Sequence, residues 1–171
     1  EVLECFSGLL ILDADGLNRL SCSSEGWEWF QKRKGPTWIT PHLGEFFRLF
    51  PHLKDLDPIF AAKEASRISG VGVLLKGAHS VIADQYGSSW QIRGTSPLVA
   101  RAGLGDVLAG YVAGMGAMEL AVSKVIDSEF LAGAALIHAE AAKQCKESSA
   151  SSISAYLAKL TRSLQSGECV K

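Results

Sequence analysis

Two glycines and an aspartate stand together in the segment Ala-Gly-Leu-Gly-Asp that begins at Ala102. Gly103 and Gly105 precede a run of small and apolar residues that predicts a helix over residues 106–118. The free N–H groups and the dipole at the start of a helix attract phosphate. Asp106 is therefore suited to take a proton from a hydroxyl that attacks phosphorus, and the alternative is that it only caps its helix.

A lysine and a short polar segment follow another predicted strand, in the sequence Leu-Lys-Gly-Ala-His-Ser that ends at Ser80. Lys76 carries a positive charge at the end of the strand, and Gly77 allows a ligand to approach the backbone closely. Ser80 supplies a hydroxyl group. These residues favour an anionic ligand, and the alternative is an ordinary turn with a solvated lysine.

A histidine and a glutamate lie three residues apart in the segment Thr-Pro-His-Leu-Gly-Glu, which again follows a predicted strand. His42 and Glu45 are too few to make a metal site by themselves. The alternative is the start of a helix, with Thr40 or His42 near the cap and Glu45 in the first turn.

Two acids flank Ala14 in the segment Leu-Asp-Ala-Asp-Gly-Leu-Asn that ends at Asn18. Carboxylates near phosphate often hold Mg²⁺, commonly through water, which makes Asp15 a candidate ligand. The alternative is a turn rich in Asp and Gly.

Short apolar runs and longer helical patterns alternate along the chain. Strands are predicted over residues 7–12, 37–40 and 71–75, with a hairpin of 80–83 and 90–93. Helices are predicted over 24–34, 44–50, 57–68, 106–118, 127–144 and 152–163. This alternation predicts an α/β fold with a parallel sheet between two layers of helices. Ligands bind beyond the carboxyl ends of such strands, where the polar segments should meet.

The composition is that of one globular domain over residues 1–171, with 47% hydrophobic and 20% charged residues. A net charge of -1, with Lys and Arg spread along the chain, argues against a nucleic-acid or membrane partner. The four cysteines form no CxxC pair, so we expect no zinc site and a cytoplasmic location. Because the chain opens at Glu1 without a Met, we expect a fragment of a longer protein.

The polar segments, taken in order, resemble the signature set of the ADP/ATP-dependent NAD(P)HX dehydratase family. These are DADGLN, TPHLGE, LKGAHS followed by VIAD and Gly87, and AGLGDVLAG. TPHxGE is the most family-specific of them, whereas GxGD is shared by the whole ribokinase-like superfamily. The resemblance implies a ribokinase-like three-layer αβα fold with a mostly parallel sheet. It also implies that the chain is the C-terminal part of that domain, N-terminally truncated.

Members of this family remove a water that has added across a ring double bond of NADH or NADPH. The resemblance implies that ADP or ATP phosphorylates the hydroxyl and that loss of phosphate restores NAD(P)H. The residues implied to contact the substrate are His42, Asn18 and Asp106, with Asp106 as the base. Those implied to bind the nucleotide are Lys76, Gly77, Ala78, His79, Ser80, Gly103 and Gly105. Mg²⁺ is expected with the nucleotide, with Asp15 or Glu45 as its candidate protein ligand.

The phosphate loop departs from the family pattern at three positions. Arg101, Ala102 and Leu104 stand where the family has Thr, Gly and Ser or Thr. Leu104 removes a hydroxyl, Ala102 is strained if that position needs a positive φ, and Arg101 is hypothesised to replace lost positive charge. The alternatives are a small-molecule hydroxyl kinase of the same superfamily or a non-catalytic homologue. We also expect a homo-oligomer and an upstream epimerase domain in the full-length protein.

Overall fold

The computed structural model describes residues 1–93, 102–145, 147 and 149–166. The strands are β1 Leu10–Leu12, β2 Thr37–Ile39, β3 Gly72–Leu75, β4 Ser80–Ala83 and β5 Ser89–Ile92. The helices are α1 Val2–Cys5, α2 Ala14–Ser21, α3 Leu43–Leu49, α4 Pro58–Ser69, α5 Leu104–Ser123, α6 Ser128–Gln144 and α7 Ala150–Ser166. Two 3-10 helices span Gly26–Lys32 and Pro51–Leu53.

Within the described part of the chain, the sheet has five strands in the order β1-β2-β3-β4-β5. Strands β1, β2 and β3 are parallel to one another, and the predicted hairpin of β4 and β5 adds two antiparallel pairs. Leu12 lies opposite Ile39, and Ile39 lies opposite Val73. The residues that follow β1, β2 and β3 therefore lie side by side, at what we call the carboxyl end of the sheet.

Helices cover both faces of the sheet, so the predicted three-layer α/β fold is confirmed. Because strand side chains alternate between faces, Ile39 and Val73 enter one core while Trp38 and Leu74 enter the other. The first core is closed mainly by α2, α3 and α4, through residues that include Leu17, Phe46, Leu49, Ala61 and Ala65. The second is closed by α5 and α6, through residues that include Leu108, Val112, Leu131 and Ala135.

Local capping interactions set the ends of α4, the helix predicted over 57–68, and the start of α6. The Asp57 carboxylate accepts a hydrogen bond of 2.9 Å from the Ile59 N–H, and Pro58 is the first residue of α4. Gly70 ends that helix in the left-handed conformation, with φ 72°. Asp127 caps α6 in the same way as Asp57 caps α4, by accepting from the Phe130 N–H at 3.2 Å.

Two segments differ from what the sequence predicted. The aromatic segment predicted as a helix over 24–34 is the shorter 3-10 helix Gly26–Lys32. Residues three apart align in a 3-10 helix, so Trp27 and Phe30 both reach the first core. The segment after β1, for which a turn was the alternative to a metal site, begins α2, whose Leu17 is buried and whose Leu20 packs beside it. Within the described part of the chain, no helix is long and apolar enough to span a membrane.

Candidate active site

The three polar segments that follow the parallel strands meet at the carboxyl end of the sheet. The Thr40 N–H donates to the Leu12 carbonyl at 3.2 Å, and the Lys76 N–H donates to the Pro41 carbonyl at 2.7 Å. His42 and Lys76 form an isolated parallel bridge. Backbone hydrogen bonds therefore continue past the strands and hold the segments in register. The prediction that these segments converge at one end of the sheet is confirmed.

Lys76 is paired with an aspartate from the first strand. Its Nζ lies 2.8 Å from Oδ1 and 3.1 Å from Oδ2 of Asp13, and the two side chains are only 24% and 13% exposed. The backbone that follows Asp13 is unusual, because Ala14 adopts a φ of 45°, which L-residues rarely adopt. Such strain is often kept where a side chain must point in one direction.

The start of α5 lies against this ion pair. A Cβ placed on Gly105 would lie 3.7 Å from Lys76 Nζ and 3.8 Å from Asp13 Oδ2. Gly103 is the N-cap with φ 81°, and no side chain caps the helix. The first intrahelical hydrogen bond is donated by the Val107 N–H to the Gly103 carbonyl. Among the described residues, no acceptor pairs with the N–H groups of the first turn of α5 before Val107, so these groups suit an anion next to a lysine.

Asp106 is the third residue of α5, and its side chain is exposed. The helix begins two residues earlier than predicted, at Leu104. The alternative in which Asp106 caps the helix is therefore wrong, since Gly103 occupies the cap position. Asp106 instead presents a carboxylate in the first turn of α5.

His42 and Glu45 form a reciprocal cap at the start of α3. His42 Nδ1 accepts from the Gly44 and Glu45 N–H groups at 2.9 and 3.3 Å, while Glu45 Oε2 accepts from the His42 N–H at 2.9 Å. The His42 Nε2 lies 3.2 Å from Glu45 Oε1. Because Nδ1 accepts, the proton of a neutral imidazole belongs on Nε2, which points at the buried carboxylate. The alternative of a helix start, with Thr40 or His42 near the cap, holds with His42 as the N-cap, and the imidazole itself remains exposed.

Asn18 and Asp15 lie on α2. The Asn18 Oδ1 accepts a 2.8 Å hydrogen bond from Nη2 of Arg48, which lies on α3. Asp15 is exposed in the first turn of α2. Both therefore belong to the same end of the molecule as His42 and Asp13.

The segment after Lys76 is a tight turn between β3 and β4. The Gly77 N–H donates a weak hydrogen bond of 3.4 Å to the Ser80 hydroxyl, and that hydroxyl can donate to the Gly77 carbonyl at 3.3 Å. The backbone of Gly77, with Ala78 and His79, is exposed beside Lys76. Asp84, by contrast, ends β4 at the opposite end of the sheet, where its carboxylate accepts from the Tyr86 and Ser88 N–H groups. The VIAD segment therefore builds a hairpin and not the site.

A buried histidine on α6 is hydrogen-bonded to the backbone at the start of α5. His138 on α6 is 3% exposed, and its Nε2 has no hydrogen-bond partner in the described structure. Burial lowers the pKa of His138 to about 4, against the opposing effect of a hydrogen bond to the Leu104 backbone. His138 is therefore neutral at neutral pH. Leu104, the residue that replaces the family's Ser or Thr, is itself buried in a small core with Ala142 and Ile153.

The described residues contain no group of three His, Cys, Asp or Glu side chains that could hold a metal ion. The Glu45 carboxylate is engaged by His42, and the Asp13 carboxylate is engaged by Lys76. Asp15 and Asp106 remain as exposed carboxylates. This donor set does not form a cage for Mg²⁺, but it suits an ion that brings nucleotide phosphates and water as its other ligands.

Two residues of this end of the molecule were not among the predicted site residues. Asp13 was noted only as one of two acids, although its position directly after a strand is the signal that could have selected it. Arg48 lies four residues after Gly44 on a helix, a spacing that places its side chain back toward the N-terminus of α3. Arg101 lies outside the described residues, and the left-handed residue of the described loop is Gly103.

Comparison with known proteins identifies the family to which this chain belongs. The model of the family described as NAD(P)H-hydrate dehydratase matches residues 1–164. The bifunctional NAD(P)H-hydrate repair enzyme of Synechocystis is 43% identical over 133 residues, covering 77% of this chain and 24% of that protein. Its counterpart in Gloeobacter violaceus is 45% identical over 106 residues, covering 62% of this chain and 20% of that protein. The chain thus spans about a quarter of these curated relatives.

Solved structures lead to the same result. The ADP/ATP-dependent NAD(P)H-hydrate dehydratase of Bacillus subtilis, co-crystallised with ATP and Mg²⁺, matches with a TM-score of 0.68 and 26% identity. The match covers 90% of this chain and 54% of that one. A ribokinase-like superfamily protein of Enterococcus faecalis matches with a TM-score of 0.70 and 25% identity, over 90% of this chain and 52% of that one. The fold is therefore ribokinase-like, as predicted, and the chain belongs to the NAD(P)H-hydrate dehydratase family.

Proposed function

We propose that this chain carries out the nucleotide-dependent dehydration of hydrated NAD(P)H, which restores NAD(P)H. The observation that carries the proposal is the meeting of Lys76, Gly105 and His42 at one end of the sheet. The lysine lies within van der Waals distance of a Cβ on Gly105, and its backbone is bridged to His42. An anion site and an exposed imidazole are thus neighbours, as a reaction between a nucleotide and a second substrate requires.

The nucleotide side of the proposed site consists of Lys76, the turn from Gly77 to Ser80, and the first turn of α5. The N–H groups of that turn and the Lys76 ammonium provide positive potential for the transferred phosphoryl group. Gly103 and Gly105 keep side chains away from the approaching phosphates. The Bacillus subtilis relative was crystallised with ATP and Mg²⁺, which supports the use of a nucleotide.

The substrate side of the proposed site consists of His42, Asn18 and Asp106. Asp106 takes the proton of the substrate hydroxyl while the hydroxyl oxygen forms a bond to the terminal phosphorus. The bond from that phosphorus to the nucleotide breaks, and the shortened nucleotide leaves. In the second step the carbon–oxygen bond of the new ester breaks, inorganic phosphate leaves with the bonding electron pair, and the adjacent ring carbon loses a proton to solvent. The double bond of the dihydronicotinamide is thereby restored.

Mg²⁺ would reach this site with the nucleotide, where it neutralises charge between the phosphates. Asp106 and Asp15 are the exposed carboxylates within reach of the edge where the phosphates would bind. Asp13 becomes available only if the nucleotide draws Lys76 away from it. Whether the donor is ADP or ATP is decided by the experiment below.

The experiment mixes the purified chain with hydrated NADH, Mg²⁺ and either ADP or ATP, and follows the absorbance band of NADH. We expect recovery of NADH that depends on one of the nucleotides. Asp106→Asn should abolish recovery while ADP binding persists, whereas Glu129→Gln, an exposed acid in the first turn of α6, should change neither. A stable phosphorylated product without NADH would instead identify a hydroxyl kinase. Nucleotide binding without turnover in this chain, with turnover in a longer polypeptide, would mean that residues 1–171 lack part of the pocket. Nucleotide binding without turnover in both would identify a non-catalytic homologue.

We further propose that residues 1–171 act as the C-terminal part of one dehydratase domain within a larger polypeptide. The Synechocystis relative is named as bifunctional, and the chain covers 24% of it, which supports the predicted upstream epimerase domain. A homo-oligomer is also proposed, and light scattering of the purified chain tests it.

A further inference from the structure

We infer that Arg48 is a binding residue for a phosphate group of the dinucleotide substrate, and that Asn18 acts on the substrate side of the site by orienting this arginine. This inference rests on the proposed function, because it assigns the substrate to the His42 side of the site. The Arg48 side chain comes from the second turn of α3 and is exposed. Its Nη2 donates to Asn18 Oδ1 at 2.8 Å, which fixes the guanidinium between α2 and α3.

Among the residues that the structure describes, no acidic side chain forms an ion pair with Arg48, whereas Arg67 is paired with Glu64 at 2.6 Å. The hydrogen-bond partner of Arg48 is a neutral amide, and Nη1 and Nε donate to no acceptor in the described part of the chain. A guanidinium that is oriented but keeps its charge and most of its donors is suited to a phosphate.

Arg48 also lies beside the proposed substrate contact. A Cβ on Gly44 would lie 2.9 Å from His42 Cε1 and 4.0 Å from Arg48 Nη1. The bare α-carbon of Gly44 thus lets the imidazole pack closely against the helix, and the guanidinium lies on the same side of Gly44. A substrate that touches His42 would extend its charged part past Gly44 toward Arg48. Hydrated NADH and NADPH both carry a pyrophosphate, and the NADPH form carries a further phosphate on its ribose.

The competing explanation is that Arg48 only ties α2 to α3 and complements the C-terminal end of a short helix. The substitution Asn18→Asp separates these roles. A carboxylate at position 18 keeps and strengthens the contact with Arg48, so a structural tie would be preserved or improved. The same carboxylate would neutralise the guanidinium, so phosphate binding would be weakened.

The test is a fluorescence titration of the chain with NADPH and with NADH, and a calorimetric titration with ADP. We expect Arg48→Gln to weaken NADPH binding by roughly ten- to a hundredfold, since hydrogen bonds to a charged partner contribute that much. Arg48→Lys should give a smaller loss, and Asn18→Asp should weaken binding by about tenfold without loss of thermal stability. ADP affinity should not change, and Arg67→Gln should behave like the parent.

The two dinucleotides identify which phosphate is bound. An equal loss for NADH and NADPH assigns Arg48 to the pyrophosphate, and a loss for NADPH alone assigns it to the ribose phosphate. Parental affinity of Arg48→Gln for both, or no binding of either by the parent chain, would overturn the inference. Failure of the dehydratase reaction with intact, Arg48-dependent NADPH binding would overturn the proposed function and leave this assignment standing.

Discussion

The Nζ of Lys76 lies 2.8 Å from Oδ1 of Asp13, although 63 positions separate the two residues in the chain. The pair connects the ends of β1 and β3, and the first turn of α5 rests on it. Asp13 therefore holds the lysine in place and at the same time competes with any phosphate for it. We therefore expect replacement of Lys76 and replacement of Asp13 to have different effects on ADP affinity.

Lys76→Gln should weaken ADP binding at least about tenfold, because it removes the cation next to the N–H groups of α5. It should also lower the free energy of unfolding by about 1–3 kcal/mol, since a partly buried carboxylate loses its partner. Asp13→Asn should give a similar loss of stability but no loss of ADP affinity, because the competitor is removed. Calorimetric titration and urea unfolding measure both quantities. A loss of ADP affinity in Asp13→Asn equal to that in Lys76→Gln would show that Asp13 does not compete.

The ends of the parallel strands could be predicted from the sequence. The convergence of the polar segments that follow them could also be predicted, because a parallel sheet brings these segments to one end. The helix caps at Asp57 and Asp127 were also predictable, since capping is a local interaction. The Lys76–Asp13 pair and the Asn18–Arg48 contact were not, because each joins two distant segments and depends on side-chain directions. The helix α2 was missed because Gly16 and two acids favour a turn, whereas the burial of Leu17 stabilises a helix.

His42 has a structural role that can be separated from its proposed binding role. Asn is an excellent N-cap residue, so His42→Asn should keep the N–H groups of Gly44 and Glu45 satisfied and change stability by less than about 0.5 kcal/mol. His42→Ala should cost about 1 kcal/mol, because it leaves those groups without an acceptor. Both variants should lose affinity for NADPH if the imidazole contacts the substrate. Loss in His42→Ala alone would attribute the effect to the helix cap.

The buried His138 makes the stability of the fold depend on pH. Its pKa is lowered from 6.5 to about 4 in the folded protein, so the unfolded chain binds the proton more tightly. The stabilisation is therefore complete above pH 6.5 and is lost as the pH falls from 6.5 toward about 4. Between pH 7 and pH 5 this one group should lower the free energy of unfolding by about 2 kcal/mol.

Urea unfolding of the parent chain and of His138→Leu at these two pH values tests this expectation. The variant should lose less stability than the parent over that interval, because its buried side chain does not titrate. An equal loss in both proteins would mean that other groups cause the acid sensitivity. The matched comparison is His52→Leu, an exposed histidine whose replacement should leave the pH dependence unchanged.

The two glycines of the phosphate loop should respond differently to alanine. Gly103 has a φ of 81°, and a Cβ there would lie 3.1 Å from the Cβ of Ala150, so Gly103→Ala should cost about 1–3 kcal/mol in stability. A Cβ on Gly105 would make only ordinary contacts, at 3.7 Å from Lys76 Nζ, and alanine is the better helix former by about 0.5–1 kcal/mol. Gly105→Ala should therefore keep or gain stability.

The same Gly105→Ala protein should nevertheless bind ADP less tightly, because its methyl group would occupy the space beside Lys76 through which a phosphate reaches the N–H groups. Gly114→Ala is the matched control, since it lies on the same helix with open space around its Cβ. It should show the gain in stability without any change in ADP affinity. Parental ADP affinity in Gly105→Ala would mean that the phosphates bind away from the first turn of α5, and the anion site would then have to be sought elsewhere along the carboxyl end of the sheet.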